Sequence, residues 1–143
     1  MKKFAFLILP FLFLPSYSLA KSFGNYQGAV YIRNYDGDTI TFNLPGLHPI
    51  IGEKISIRVN GIDTPEIKGK CEKEKYDAQQ AKDMVADILK DAEQTTLKNM
   101  ERGKYFRIAA DVIVDSENLA DVLVEAGMAV RYDGGKKTHK WCE

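Results

Sequence analysis

Cysteine and histidine are nearly missing from this chain: Cys71, Cys142, His48 and His139 are all it has. No Cys-x-x-Cys or His-x₃-His spacing occurs, which excludes a zinc site of the usual ligand pattern. An excess of charge of one sign is missing too, since 20 basic and 20 acidic residues balance to a formal +0. A near-neutral chain is not a stoichiometric nucleic-acid packer, although local positive charge suffices for transient contacts. No internal repeat or low-complexity block is present, which excludes solenoids and arrays. No run reaches the ~20 apolar residues of a membrane span.

The first twenty residues stand apart from the rest. Lys2 and Lys3 open a basic start, Phe4 to Leu14 is an apolar run broken by Pro10, and Ser18-Leu19-Ala20 is a small-residue cleavage site. This pattern is that of a secretory signal peptide, residues 1–20, cut to leave a mature domain of residues 21–143 in the periplasm or outside the cell. An uncleaved membrane anchor is the competing reading, against which the shortness of the run argues. No cysteine follows the cut, so lipid anchoring there is not expected. The mature chain carries 18 basic against 20 acidic residues, or −2, and is long enough for one hydrophobic core. In an exported protein a single pair of cysteines suggests one disulfide, Cys71 to Cys142, with two free thiols as the alternative.

Period-2 patterns mark the strands. Gly28 to Arg33 is rich in β-branched and aromatic residues. Asp36-Gly37 turns the chain, and Thr39 to Phe42 alternates back. Asn43 to Gly52 holds Pro45, Gly46, Pro49 and Gly52 and reads as a loop. Lys54 to Val59 alternates again, with Ile55, Ile57 and Val59 on one face and Arg58 on the polar one. Pro65 keeps Thr64 extended. From Lys73 to about Lys90 the period becomes helical, with Ala81, Met84, Val85 and Ile88 in one stripe, a core-packing face. Gln94 to Asn99 and Tyr105 to Val114 suit two further strands. Asn118 is an N-cap, with Asp121 placed as in a capping box, and a short helix then stops at Gly127. Met128 to Tyr132 adds a last extended piece before a polar tail. The expected class is α+β, a small closed five-stranded barrel of the oligonucleotide-binding type with two to three helices.

Two acidic motifs carry the chemistry: Asp36-Gly37-Asp38-Thr39 and Asp63-Thr64-Pro65-Glu66. Asp-Gly alone is an ordinary turn. The ordered set with Arg58 and Arg107 is more specific, because it joins carboxylates for a hard cation to two guanidinium forks for a phosphate. That is a kit for metal-assisted cleavage of a phosphodiester. Asp38 and Asp63 are the candidate ligands, and Asp36 supports them. Glu66 would orient or deprotonate the attacking water, unless it is only a solvated carboxylate beside Lys68. Arg58 and Arg107 would meet the charge that builds on the phosphorus oxygens, which a planar fork does better than lysine.

The run Asp36-Gly37-Asp38-Thr39, Arg58-x₄-Asp63-Thr64-Pro65-Glu66, Lys104-Tyr105-Phe106-Arg107, and Asn118 before a helix ending in Gly127-Met128-Ala129 resembles the staphylococcal (micrococcal, thermostable) nuclease family. The likeness covers about residues 26 to 132, with the motifs in family order. It implies the barrel, dependence on Ca²⁺, and hydrolysis of DNA and RNA to 3′-phosphate products; a monomer is expected. It adds the Thr64 carbonyl as a calcium ligand, and Lys104, Tyr105 and Tyr132 as contacts to the nucleotide. The chain departs from the best-known member around Ala129-Val130-Arg131-Tyr132, where one tyrosine replaces a spaced pair. That departure concerns base preference rather than cleavage. Two other readings compete. A non-catalytic single-stranded nucleic-acid-binding barrel would need a basic groove but not Asp38, Glu66 and both arginines together. A barrel that binds protein or sugar would not respond to calcium.

Overall fold

The computed structural model describes residues 22–103 and 107–143. The expected signal peptide, residues 1–20, lies outside the described residues, as do Lys104 and Tyr105. Nine strands and three helices are described: β1 (Tyr26–Gln27), β2 (Val30–Asn34), β3 (Thr39–Asn43), α1 (Pro49–Gly52), β4 (Ile55–Val59), β5 (Ile62–Asp63), α2 (Glu72–Asp91), β6 (Thr95–Arg102), β7 (Ile108–Val114), β8 (Glu117–Asn118), α3 (Leu119–Glu125) and β9 (Val130–Arg131).

Five of these strands form the body of the sheet, in the order β6-β7-β4-β3-β2, with β1 on the β6 edge and β8 beside β7. The pairs are antiparallel except β4 with β7, which run parallel. A parallel pair needs a long crossover, and here α2 and β6 lie within it. The chain is α+β, a curled half-barrel of the oligonucleotide-binding type with three helices. The sheet is more open than expected: among the described residues no ladder joins β1 to β2. The register of β2 shifts between Tyr31 and Arg33, and α2 packs against that strand.

The alternation works as the pattern predicts. Ile40, Phe42, Ile57, Val59, Leu97 and Val112 point inward and are buried, and Val85, Leu89, Leu119 and Leu123 close over them from the two longer helices. Within α2 the fully buried stripe is Ala78, Ala81, Val85 and Leu89, while Met84 and Ile88 flank it. Two local details differ from the sequence reading. The loop after β3 contains the one-turn helix α1, because Pro49 sits at its start and His48 caps it by accepting from the Ile50 N–H. Asn118 caps α3 by accepting from Ala120 N at 2.9 Å, but Asp121 pairs with Arg131 instead of closing a capping box.

Candidate active site

The two acidic motifs lie on neighbouring loops that are packed together. In the β2–β3 turn the Asp36 carboxylate accepts from the N–H groups of Asp38 (3.1 Å) and Thr39 (2.8 Å). Asp36 is therefore a buried turn-former that fixes Asp38. The Asn34 amide ties the same turn to α2, donating to the carbonyls of Asp36 and Lys82, each at 2.9 Å. Val59 N, at the end of β4, donates to Asp38 O at 2.8 Å. The chain then turns at Gly61, whose φ of +76° suits glycine, and enters β5, which delivers Asp63 and the buried Thr64 and Pro65. The loops meet at Gly37: a Cβ there would lie 2.9 Å from Thr64 Cγ2 and 3.1 Å from Ala81 Cβ. Only glycine permits this approach.

Asp38 and Asp63 are 2% and 3% exposed, so their charges are compensated within the protein. Arg58, opposite Thr39 in the β3–β4 register, spans both. Its Nη1 lies 2.6 Å from Asp38 Oδ1 and its Nη2 lies 3.8 Å from Asp63 Oδ1. Burial pushes the Asp38 carboxyl up to about 7, with the charges of Asp36 and Asp63 adding to it and Arg58 and the Thr39 hydroxyl opposing. Asp63 Oδ1 is fully buried and receives no well-directed hydrogen bond. Its compensation is the ammonium of Lys137, 2.7 Å away but off the direction that a hydrogen bond requires. Lys137 also donates to Glu66 Oε1 at 2.9 Å. Burial works against the charged form of Lys137, but the two carboxylates outweigh it and hold its pKa above the usual lysine value.

An open cleft of about 670 Å³ lies over this floor, lined among others by Tyr35, Arg58, Glu66, Arg107, Tyr132 and Lys137. The structure thus brings Arg58, Glu66, Arg107 and Tyr132 to one cavity, with Asp38, Asp63 and Thr64 buried beside it. Arg107 has no ion-pair partner among the described residues. The Tyr132 hydroxyl donates to Gly135 O at 2.6 Å. Cys71 and Cys142 form a disulfide across a separation of 71 residues.

The donor set fits a hard divalent cation. Two buried carboxylates stand together, one oxygen has no directed donor, and burial, with like charge from Asp36 and Asp63 adding to it, resists ionisation of Asp38. All three features are relieved by a cation that takes oxygen ligands in loose geometry.

Two site residues escaped the sequence reading. Glu74, only 8% exposed, pins the loop that carries Glu66: its carboxylate accepts from Lys70 N at 2.8 Å and from Glu66 N at 3.4 Å. The available signal was its position three residues after the N-cap Cys71, the spacing of a capping box. Lys137 had no signal beyond its place in a polar tail.

The family model described as staphylococcal nuclease homologue matches residues 56–141, more than half of the chain. The matched segment contains Arg58, Asp63, Thr64, Glu66 and Arg107, and begins after the turn that carries Asp38. No curated protein matches the chain.

Proposed function

The chain belongs to the staphylococcal nuclease homologue family, and from that premise we propose that it is an exported, calcium-dependent endonuclease that hydrolyses DNA and RNA. The observation that carries this reading is the convergence of Arg58, Glu66 and Arg107 on one cleft beside two buried carboxylates. A nucleic-acid-binding module has no use for Asp38 and Asp63, two neighbouring buried carboxylates whose like charges repel each other.

Asp38 and Asp63 would hold the calcium ion through their carboxylates, and Thr64 through its carbonyl. When bound, the ion supplies Lewis-acid polarisation of a phosphate oxygen. The rest of the work falls to the protein. Glu66, half-exposed at the cleft, orients a water and accepts its proton as the oxygen attacks phosphorus. Its value is mainly positional, since a carboxylate in an aqueous cleft is a weak base. Glu74 holds the Glu66 backbone in place for this. Negative charge builds on the equatorial oxygens, and the guanidinium groups of Arg58 and Arg107 donate to them. The bond from phosphorus to the 5′ oxygen breaks, water in the open cleft protonates the departing oxygen, and a 3′-phosphate remains. Tyr132, with Lys104 and Tyr105 beyond the described residues, contacts the nucleotide by stacking and charge.

Digestion of single-stranded DNA and of RNA, each with calcium and with chelator, tests the proposal. Cleavage in calcium alone, lost in Asp38→Ala without loss of fold, is expected. Binding without cleavage would favour the non-catalytic barrel instead. Export is tested by intact mass: the exported protein should begin at Lys21.

A further inference from the structure

The C-terminal tail returns to the active-site loop twice. At its start, β9 pairs with β5 and sets Val130 opposite Asp63. At its end, Cys142 is bonded to Cys71, the N-cap of α2. Residues 63–71, which carry Asp63, Thr64 and Glu66, are thus clamped at both ends by residues 130–142. Between the anchors the strap is held in shape. Tyr132 N donates to Gly61 O at 3.0 Å, Gly135 N to Asp133 Oδ1 at 2.9 Å, and Lys73 Nζ to Trp141 O at 3.3 Å. The His139 and Trp141 rings meet edge to face at 4.3 Å. On this strap Lys137 is the residue that reaches the two carboxylates: its ammonium lies 2.7 Å from Asp63 Oδ1 and 2.9 Å from Glu66 Oε1.

We infer that Lys137 is a built-in competitor of the metal ion: a cation delivered by the disulfide-tethered strap to the carboxylates that calcium needs, which raises the calcium concentration at which the site fills. The inference rests on the calcium reading proposed above and adds a regulatory element to it. The chemistry is exchange of one cation for another. Arg58 Nη2 stands farther from Asp63 Oδ1, at 3.8 Å, so the nearest cation that calcium would displace there is the Lys137 ammonium at 2.7 Å. A tethered group competes at an effective concentration on the order of millimolar, against which a diffusing ion must be raised. The tether matters because a free tail would spend most of its time elsewhere: β9 anchors the strap on one side of Lys137 and the Cys71–Cys142 bridge on the other. Lys136, Lys140 and the lysines of α2 make no contact with Asp63 or Glu66. Lys137 alone among the described lysines occupies the site.

Calcium titration calorimetry on the full mature chain, in the absence of nucleic acid, tests this without reference to cleavage. Three forms are compared: wild type, Lys137→Met and Lys137→Arg. The Lys137 side chain is 44% exposed, and in Lys137→Met Asp63 keeps the guanidinium of Arg58 at 3.8 Å, so circular dichroism checks that each variant is folded before titration. Lys137→Met should tighten calcium binding about tenfold, ~1.4 kcal/mol, while Lys137→Arg, which keeps the charge, should stay within about twofold of wild type. Reducing the disulfide should recover most of that gain in wild type and add little in Lys137→Met, a non-additivity expected of two changes acting through one contact. Circular dichroism confirms that the reduced chain remains folded, and if it does not, the Met and Arg variants decide alone. Equal or weaker affinity in Lys137→Met overturns the inference. So does reduction that tightens wild type and Lys137→Met alike. Flat titrations in all three forms would show instead that the calcium reading itself fails, and the inference with it.

Discussion

Arg107→Lys separates turnover from docking more cleanly than any other substitution in the cleft. Arg58 is bound to Asp38 and Asp63, so changing it also disturbs the buried carboxylates. Arg107 is half-buried on the cleft wall and has no ion pair among the described residues. Its loss should therefore cost stability no more than a surface change, within about 0.5 kcal/mol, and shift Tm by less than about 3 °C. Lysine keeps the charge but loses the planar fork that can serve two phosphate oxygens at once. One preorganised donor is worth ~3 kcal/mol in the transition state, so kcat should fall by roughly 10²-fold or more. Affinity should change much less, because ground-state docking needs mainly the charge. The assay pairs steady-state cleavage of single-stranded DNA in calcium with anisotropy binding of an uncleavable analogue of the same strand. Equal losses in kcat and affinity would refute the transition-state role and reduce Arg107 to a phosphate anchor.

Two further outcomes follow from Asp38 and from the disulfide. In chelator, the metal-free protein should lose stability as pH rises from about 4 to about 7, because the folded state raises Asp38 from 3.8 to about 7 through burial first and neighbouring charge second, and so holds its proton more tightly than the unfolded chain does. Asp38→Asn should flatten that part of the Tm–pH profile, and an unchanged slope would sink the assignment. The Cys71–Cys142 bridge closes a separation of 71 residues, worth ~4 kcal/mol in the chain-entropy picture. Cys142→Ser should accordingly lower Tm by roughly 15 °C in calorimetry, and a drop below about 3 °C would show that the bridge constrains little.

What was legible in the sequence depended on range. Alternation in Thr39 to Phe42 and Lys54 to Val59 is a local signal, and each strand buries the side it announces, since register errors would flip whole faces. The turn at Asp36-Gly37 was legible because Asp-Gly is a local turn signal, and Asp36 accepts from the N–H groups of Asp38 and Thr39 as such a turn requires. The role of Lys137 was not legible, because its contact with Glu66 spans 71 residues and exists only once β9 has paired with β5 and the disulfide has closed. Neither event leaves a periodicity. Glu74 was hidden for a different reason: a glutamate near a helix start is favourable for the helix dipole alone, so nothing in its spacing says that it holds another loop. That Gly69 comes so near the Glu74 carboxylate that a Cβ would lie 2.5 Å from Cδ is visible only in three dimensions.

The sheet topology explains why two arginines 49 positions apart in sequence serve one cleft. β4 and β7 are neighbours because the strand order places the fifth main strand between the third and the fourth. Their parallel register sets Arg58 beside Ala109, and Arg107 precedes Ala109 by two residues, hence on the same face. Thr39 extends the same row on β3, where it pairs with Arg58, and Thr39, Arg58, Arg107 and Ala109 all line the cleft. A slip of one residue between β4 and β7 would turn Arg107 toward the core side, where no carboxylate or water could compensate it, so the buried residues Ile57, Val59, Ala110 and Val112 that fix this register also fix the spacing of the two forks. Packing on one face of the sheet therefore sets the electrostatics of the other, and a core substitution that loosens this register should reduce turnover before it unfolds the domain.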